Sequence, residues 1–205
     1  MRLILKRFAA PGLALVWLMA SSNAFAEPTR VDQNIVRLMR DDPTLGVVFM
    51  EAGLTEHGQT SPRHCQGIRV RLRSEAGVST TVVTQVSPKF FGKLSEATSY
   101  GGSTSLVAGV YEVQSVECED PVGIRLQGPF ARFTLRAGQI LNLGCLMINY
   151  KLGPPTLFTR SRSQGDWKAV DLSPKAVAWI NKAAPLAFAK AKKQYMTPIR
   201  QAPKS

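Results

Sequence analysis

Apolar positions along the chain change their period twice. Val31, Ile35, Leu38 and Met39 recur at helical spacing and stop at Asp41-Asp42-Pro43, so a short helix is predicted over residues 31–39. From Gly46 onward the period falls to two. Residues 47–50 form a short apolar run, and Ile68, Val70 and Leu72 alternate with Arg69, Arg71 and Arg73. Val78, Val82 and Val86, interleaved with Thr80 and Thr84, continue the strand pattern with β-branched residues. Residues 87–104 lack a period and contain Pro88, Gly92, Gly101 and Gly102, which reads as a long loop holding Phe90, Phe91 and Tyr100. Further strands are predicted over 106–118, 122–127 and 130–150, the last with a turn at Ala137-Gly138. Apolar parity switches near Ser115, which predicts a bulge there. Residues 140–148 are apolar on both parities, as in a strand covered on both faces.

Gly153-Pro154-Pro155 breaks this pattern, and Ser173-Pro174 reads as a helix cap followed by proline at the first helical position. Val177, Ile180 and Ala184 then share one face. Pro185 ends or kinks that helix, and residues 186–195 keep a helix-favouring composition. The expected fold is mainly β: an antiparallel β-sandwich over residues 27–172 with a short N-terminal helix, followed by a basic C-terminal helical segment over 173–205.

The first 26 residues read differently from the rest. Arg2, Lys6 and Arg7 precede an apolar stretch around residues 13–19, and Ala24-Phe25-Ala26 places small residues where a signal peptidase reads them. Cleavage before Glu27 is expected, giving a periplasmic or secreted bacterial protein. The alternative is a retained anchor, because residues 8–26 carry no charge; Pro11, Gly12 and Ser21-Ser22-Asn23 argue against it by shortening the apolar core. No cysteine near the cleavage site supports lipid attachment. Removal takes three of the 26 basic residues and none of the 14 acidic ones, so the charge falls from +12 to +9.

With three cysteines in an oxidising compartment, one disulfide and one thiol are expected. Three pairings are possible. Cys65 opens a strand and Cys118 closes one, which favours that pair, whereas Cys145 sits in the most apolar strand and reads as a buried thiol. Two histidines, His57 and His64, are too few for a metal centre or a strong cysteine catalyst. No phosphate-cradling glycine loop, zinc-protease helix or serine-hydrolase elbow occurs. No enzyme activity, cofactor or metal is therefore expected, and a carboxylate-pair hydrolase remains the lesser alternative.

The notable polar feature is a row of arginines. Arg69, Arg71 and Arg73 point to one face of a strand, spaced roughly 6.5–7 Å apart. Arg125, Arg132 and Arg136 have the parity to join them, so Arg69, Arg71, Arg73, Arg132 and Arg136 form a candidate site for an acidic glycan or lipid head group. The alternative is that acidic residues on neighbouring strands pair with them. A second basic feature is the tail, where Lys190, Lys192 and Lys193 accompany Phe188 and Tyr195 and suit an anionic surface or a solvated face. No nucleic-acid signature is present.

Residues 108–113, Ala-Gly-Val-Tyr-Glu-Val, followed by 133–140, Phe-Thr-Leu-Arg-Ala-Gly-Gln-Ile, and then Leu143-Gly144, carry a resemblance. The chain resembles a family of small bacterial exported domains, periplasmic or lipoprotein-like, with A-G-x-Y and F-x-L-x-A-G-x-I-x-x-L-G strands. That resemblance implies a β-sandwich and assigns no activity. Members often carry an acidic residue after the last glycine, where this chain has Cys145. The expected role is a non-catalytic interaction or structural module of the cell envelope, with an envelope protein partner or an anionic glycan or lipid surface as its counterpart.

Overall fold

The computed structural model describes residues 27–199 except 57–58, 61–64, 66, 87–88, 91–92, 95–98, 120–123 and 156–159. The predicted leader, His57, His64, Phe91 and Asp120 lie outside the described residues. The principal elements are α1 (Arg30–Asp41), β1 (Leu45–Glu56), β2 (Gly67–Ser74), β3 (Ser79–Val86), β4 (Gly102–Val107), β5 (Gly109–Glu119), β6 (Ile124–Gln127), β7 (Ala131–Leu135), β8 (Ile140–Pro155), β9 (Arg160–Val170), α2 (Pro174–Ala183) and α3 (Pro185–Ala189). They form a mainly β protein of two sheets with few helices.

The first sheet runs β9-β8-β1-β4. In the second, β3, β2 and β5 are successive neighbours, and β6 and β7 lie end to end along the other edge of β5. Alternate residues from both sheets fill the space between them. Val48 and Met50 of β1 and Leu146, Ile148 and Tyr150 of β8 meet Val70, Leu72, Val113, Val116, Phe133 and Leu135. Each such fully buried apolar side chain contributes about 1.5–3 kcal/mol.

The opposite face of β1 is also covered. Val47 and Phe49 pack with Ile35 of α1, Ala176 and Ile180 of α2 and Ala187 of α3, and Phe49 meets Phe188 edge-on at 5.3 Å. Burial on both faces explains the unbroken apolar run at residues 47–50.

Two bulges set the registers. Gln114 is the extra residue on β5 between the pairs Arg71/Ser115 and Leu72/Val113, which matches the parity switch in the sequence. On β8, Gly144 has φ +74° and lies where the pairing with β1 slips between Phe49 and Glu51. A side chain there would run into the Val170 carbonyl, so glycine is required twice over. The slip lets Leu141 and Leu143 face the core before Gly144, and Leu146, Ile148 and Tyr150 after it.

Several elements depart from the sequence pattern. The sandwich includes a parallel pair, β1 with β8, which no local pattern announces. Strand β4 begins within the stretch read as a loop and runs antiparallel to β1 from Leu45/Val107 to Met50/Gly102. The chain does not leave the sheets at Gly153-Pro154-Pro155: β8 continues to Pro155, and β9 returns antiparallel to it. β9 is a border strand that turns Trp167 and Ala169 toward the core and leaves Asp166 and Lys168 exposed, too few apolar positions for a period-two signal.

The tail differs too. The helix expected to resume over 186–195 stops at Ala189. Lys192–Lys193 then pair with β8, Met196 is buried in the main core, and Thr197–Pro198 pair with β7. The C-terminal segment thus crosses from one sheet to the other, and the Phe130 carbonyl accepts from both the Ile199 N–H and the Trp167 indole.

Cys65 and Cys118 form the favoured disulfide, with Cα atoms 5.3 Å apart across 53 residues, while Cys145 is the free, buried cysteine. The bridge ties the start of β2 to the end of β5. Replacing both cysteines by serine is expected to lower unfolding free energy by about 4 kcal/mol on the chain-entropy account, measured by urea denaturation with and without reductant.

Candidate functional site

The arginine row lies on the outer face of the second sheet, but it does not stand alone there. β5 runs beside β2 and presents Glu112, Glu117 and Glu119 to the same side, with Arg69 opposite Glu117 and Arg73 opposite Glu112. On the far side of β5, Arg125 of β6 is also opposite Glu117, and Arg132 of β7 opposite Glu112. Rows of positive, negative and positive side chains result. Arg69 pairs with Glu119, Arg125 Nε lies 3.0 Å from Glu117, and Arg132 lies 2.7 Å from Glu112.

Of the five residues expected to form an anion site, Arg69 and Arg132 are thereby engaged. Arg71 and Arg73 are exposed with no carboxylate at ion-pair distance among the described residues. Arg71 shares a recess of about 280 Å³ with Arg69, Thr81 and Glu117. Arg136 is not on these strands: it lies in the turn before β8, where its backbone N–H donates to Gln139 at 3.0 Å. Exposed pairs of this kind contribute about 0–1 kcal/mol each, so their main effect is to neutralise the face.

A second cluster lies where β1 and β8 run beneath the start of α2. Both oxygens of Glu51 accept from Ser173, one from its N–H and one from its hydroxyl, each at 2.8 Å. The same Ser173 Oγ accepts from the Ala176 N–H at 3.1 Å, capping α2 with a carboxylate close behind it. Cys145, paired in register with Glu51, lies with its sulfur 3.5 Å from that of Met147, and the missing side chain of Gly53 makes room for both. A cavity of about 420 Å³ opens beside this group, with Tyr100 and Lys175 also on its wall.

Chemically the cluster is quiet. Burial, with the neighbouring Glu51 carboxylate, pushes the Cys145 thiol far up, away from the reactive thiolate. The Ser173 hydroxyl is committed to Glu51 and to the helix cap. These groups hold α2 on β1, a role that the sequence showed only through the Ser173-Pro174 cap.

The third feature is a groove of about 820 Å³ between α1 and α3. It is built around Asp32. Thr29 and Asp32 form a reciprocal cap at the start of α1, and Asp32 also accepts from the Ala187 N–H at 2.8 Å, joining α1 to α3. Asp32 is only 2% exposed. Burial raises its pKa, but the N–H groups of Ala187 and Thr29 outweigh that and hold the carboxyl below its ordinary value.

Above Asp32, Val36 and Met39 of α1, Ile140 of β8 and Leu186 of α3 line the groove, with Arg37, Arg40 and Lys190 at its rim. Val36 is 63% exposed. The sequence pattern placed Val31, Ile35, Leu38 and Met39 at helical spacing; the structure buries Ile35, half-buries Met39 and leaves Val31 and Leu38 exposed. The missed signal is Val36, an apolar residue off that stripe and next to Arg37. In the tail, Phe188 packs inward on Phe49, Lys193 pairs with Asp171 beside the Tyr195 ring, and Tyr195 and Lys190 are exposed.

No family model and no curated protein matches this chain. Among solved structures, it is similar to a leucine-rich repeat protein from Bacteroides thetaiotaomicron VPI-5482, at 15% identity and a TM-score of 0.33. The match covers 62% of this chain and spans 18% of the other.

Two outcomes follow from these contacts. Asp32 binds protons less readily folded than unfolded, so its stabilisation is present above about pH 4 and is lost as pH falls through its lowered folded pKa. Asp32→Asn should cost about 1–2 kcal/mol at neutral pH and shrink the stability difference from wild type below pH 4, measured by denaturation at stepped pH. Cys145 should resist aromatic disulfide reagents at mildly alkaline pH and release one equivalent only when denaturant unfolds the protein.

Proposed function

We propose that the protein is an exported, non-catalytic contact module of the cell envelope, and that the groove between α1 and α3 is its contact surface. The observation that carries this reading is Val36, 63% exposed on a helix whose partner helix leaves it uncovered, at the wall of an 820 Å³ groove. Contiguous apolar surface rimmed by polar residues marks interaction sites, and the groove joins Val36 to Met39, Ile140 and Leu186 in one such wall. Export is supported by the leader-like first 26 residues and by a disulfide of the type that persists in oxidising compartments. Among the described residues, no helix is long and apolar enough to cross a membrane. The resemblance to exported β-sandwich domains agrees with this reading.

A second reading keeps the arginine face as an anionic-ligand site. Arg71 and Arg73, which lack carboxylate partners among the described residues, favour it. A photo-reactive side chain placed in cells at position 36 or at position 81 separates the two. Adducts formed from position 36 and absent from 81 support the groove. Adducts from 81 alone transfer the role to the arginine face, and none from either position overturns the contact-module reading.

A further inference from the structure

We infer that the α1–α3 groove seats the protein on an anionic phospholipid bilayer. This rests on the reading of the groove as the contact surface and adds the chemistry of its counterpart. Apolar and cationic groups are combined there in the way an interfacial element requires: the exposed Val36 supplies a side chain to bury among acyl chains, half-buried Met39 and Leu186 continue the apolar wall behind it, and Arg37, Arg40 and Lys190 stand around them. Long basic side chains lay their stems on apolar surface and keep their charges at head-group level.

The charges at the rim are largely available. Among the described residues, Arg37 engages the Asn34 side-chain amide and no carboxylate, and Lys190 has no carboxylate at ion-pair distance. Arg40 pairs with the exposed Asp41, a contact that bulk water screens. The carboxylate inside the groove, Asp32, is shielded, because Thr29 and Ala187 already donate to it. The balance at the mouth therefore favours an anionic counterpart.

The apolar wall of the groove selects a bilayer over a soluble acid, because a purely ionic ligand has nothing to cover the exposed Val36. Pro28 lines the groove, so the apolar leader read at residues 8–26 joins the described domain there. The arginine face, by contrast, carries three glutamates among its charges, and its exposed Val83 stands opposite Arg69 within them.

Co-sedimentation with vesicles tests the inference, using the exported protein with its N-terminus read by mass spectrometry so that every sample is the same chain. Binding is expected to phosphatidylcholine vesicles containing about one third phosphatidylglycerol, to weaken in high salt, and to be absent from pure phosphatidylcholine. Arg37→Glu with Lys190→Glu should weaken partitioning about 100-fold. The same change of net charge at Arg71 and Arg73 should cost less than about 5-fold. Val36→Asp should cost about 10-fold with an unchanged thermal melt, since the side chain is exposed.

Equal losses from the two charge-reversed pairs would reduce the effect to bulk charge and overturn the inference. So would an inert Val36→Asp or binding that ignores lipid charge. Protein adducts from position 36 without vesicle binding would also overturn it, yet leave the contact-module reading standing.

Discussion

The parallel pairing of β1 with β8 is the constraint on which the rest of the structure depends. An antiparallel pair closes with a short turn, whereas a parallel pair obliges the chain to travel back to the end at which it started. Here the return path holds all the principal strands of the second sheet: β2 and β3 leave the first sheet, β4 revisits it on the far side of β1, and β5, β6 and β7 follow before β8 begins, leaving only Thr197–Pro198 to join β7 from the tail. The two layers are therefore one long crossover, and neither sheet is a contiguous piece of chain. The Cys65–Cys118 bridge lies inside that crossover and shortens the excursion that must be ordered before β8 can pair.

The same central pair explains why helices lie on one side. With Val48 and Met50 turned into the sandwich and Val47 and Phe49 turned out, β1 exposes an apolar strip that water would otherwise meet. α1 precedes β1 and α2 and α3 follow β9, so the covering layer is assembled from the two ends of the described chain. Its joints are polar and specific: Glu51 with Ser173 fixes α2 on β1, and Asp32 with Ala187 fixes α3 on α1. A five-residue helix begun by Pro185 cannot cover the whole flank of a twelve-residue one, and the groove is the area left over.

Legibility in the sequence follows how local each determinant is. The bulge at Gln114, the Ser173 cap, the buried Cys145 and the alternation in β2 are written in a few adjacent residues, and period or capping chemistry exposes them. Strand β9 was hidden because a border strand needs only a few inward residues, here Trp167 and Ala169, and tolerates charge elsewhere. The parallel register was hidden because it is decided by residues some 90 positions apart, such as Val48 and Leu141. The arginine row was visible as a row, but whether it stands alone depends on Glu112, Glu117 and Glu119, whose place beside it is a property of the sheet order. Val36 carried too weak a signal, since one apolar residue off the stripe acquires meaning only when α3 is seen to stop short of it.

The two basic surfaces differ in where their carboxylates are held. On the second sheet, cross-strand pairing holds glutamates among the arginines, so a charged ligand must displace internal partners to gain new ones, and the exchange yields little. In the groove, Asp32 spends its acceptors on the fold itself, and the exposed Asp41 engages only Arg40 at the rim. The hydrogen bonds that join α1 to α3 thus have two consequences at once. They fix the walls of the groove, and they leave Arg37 and Lys190 at its mouth without a carboxylate at ion-pair distance among the described residues.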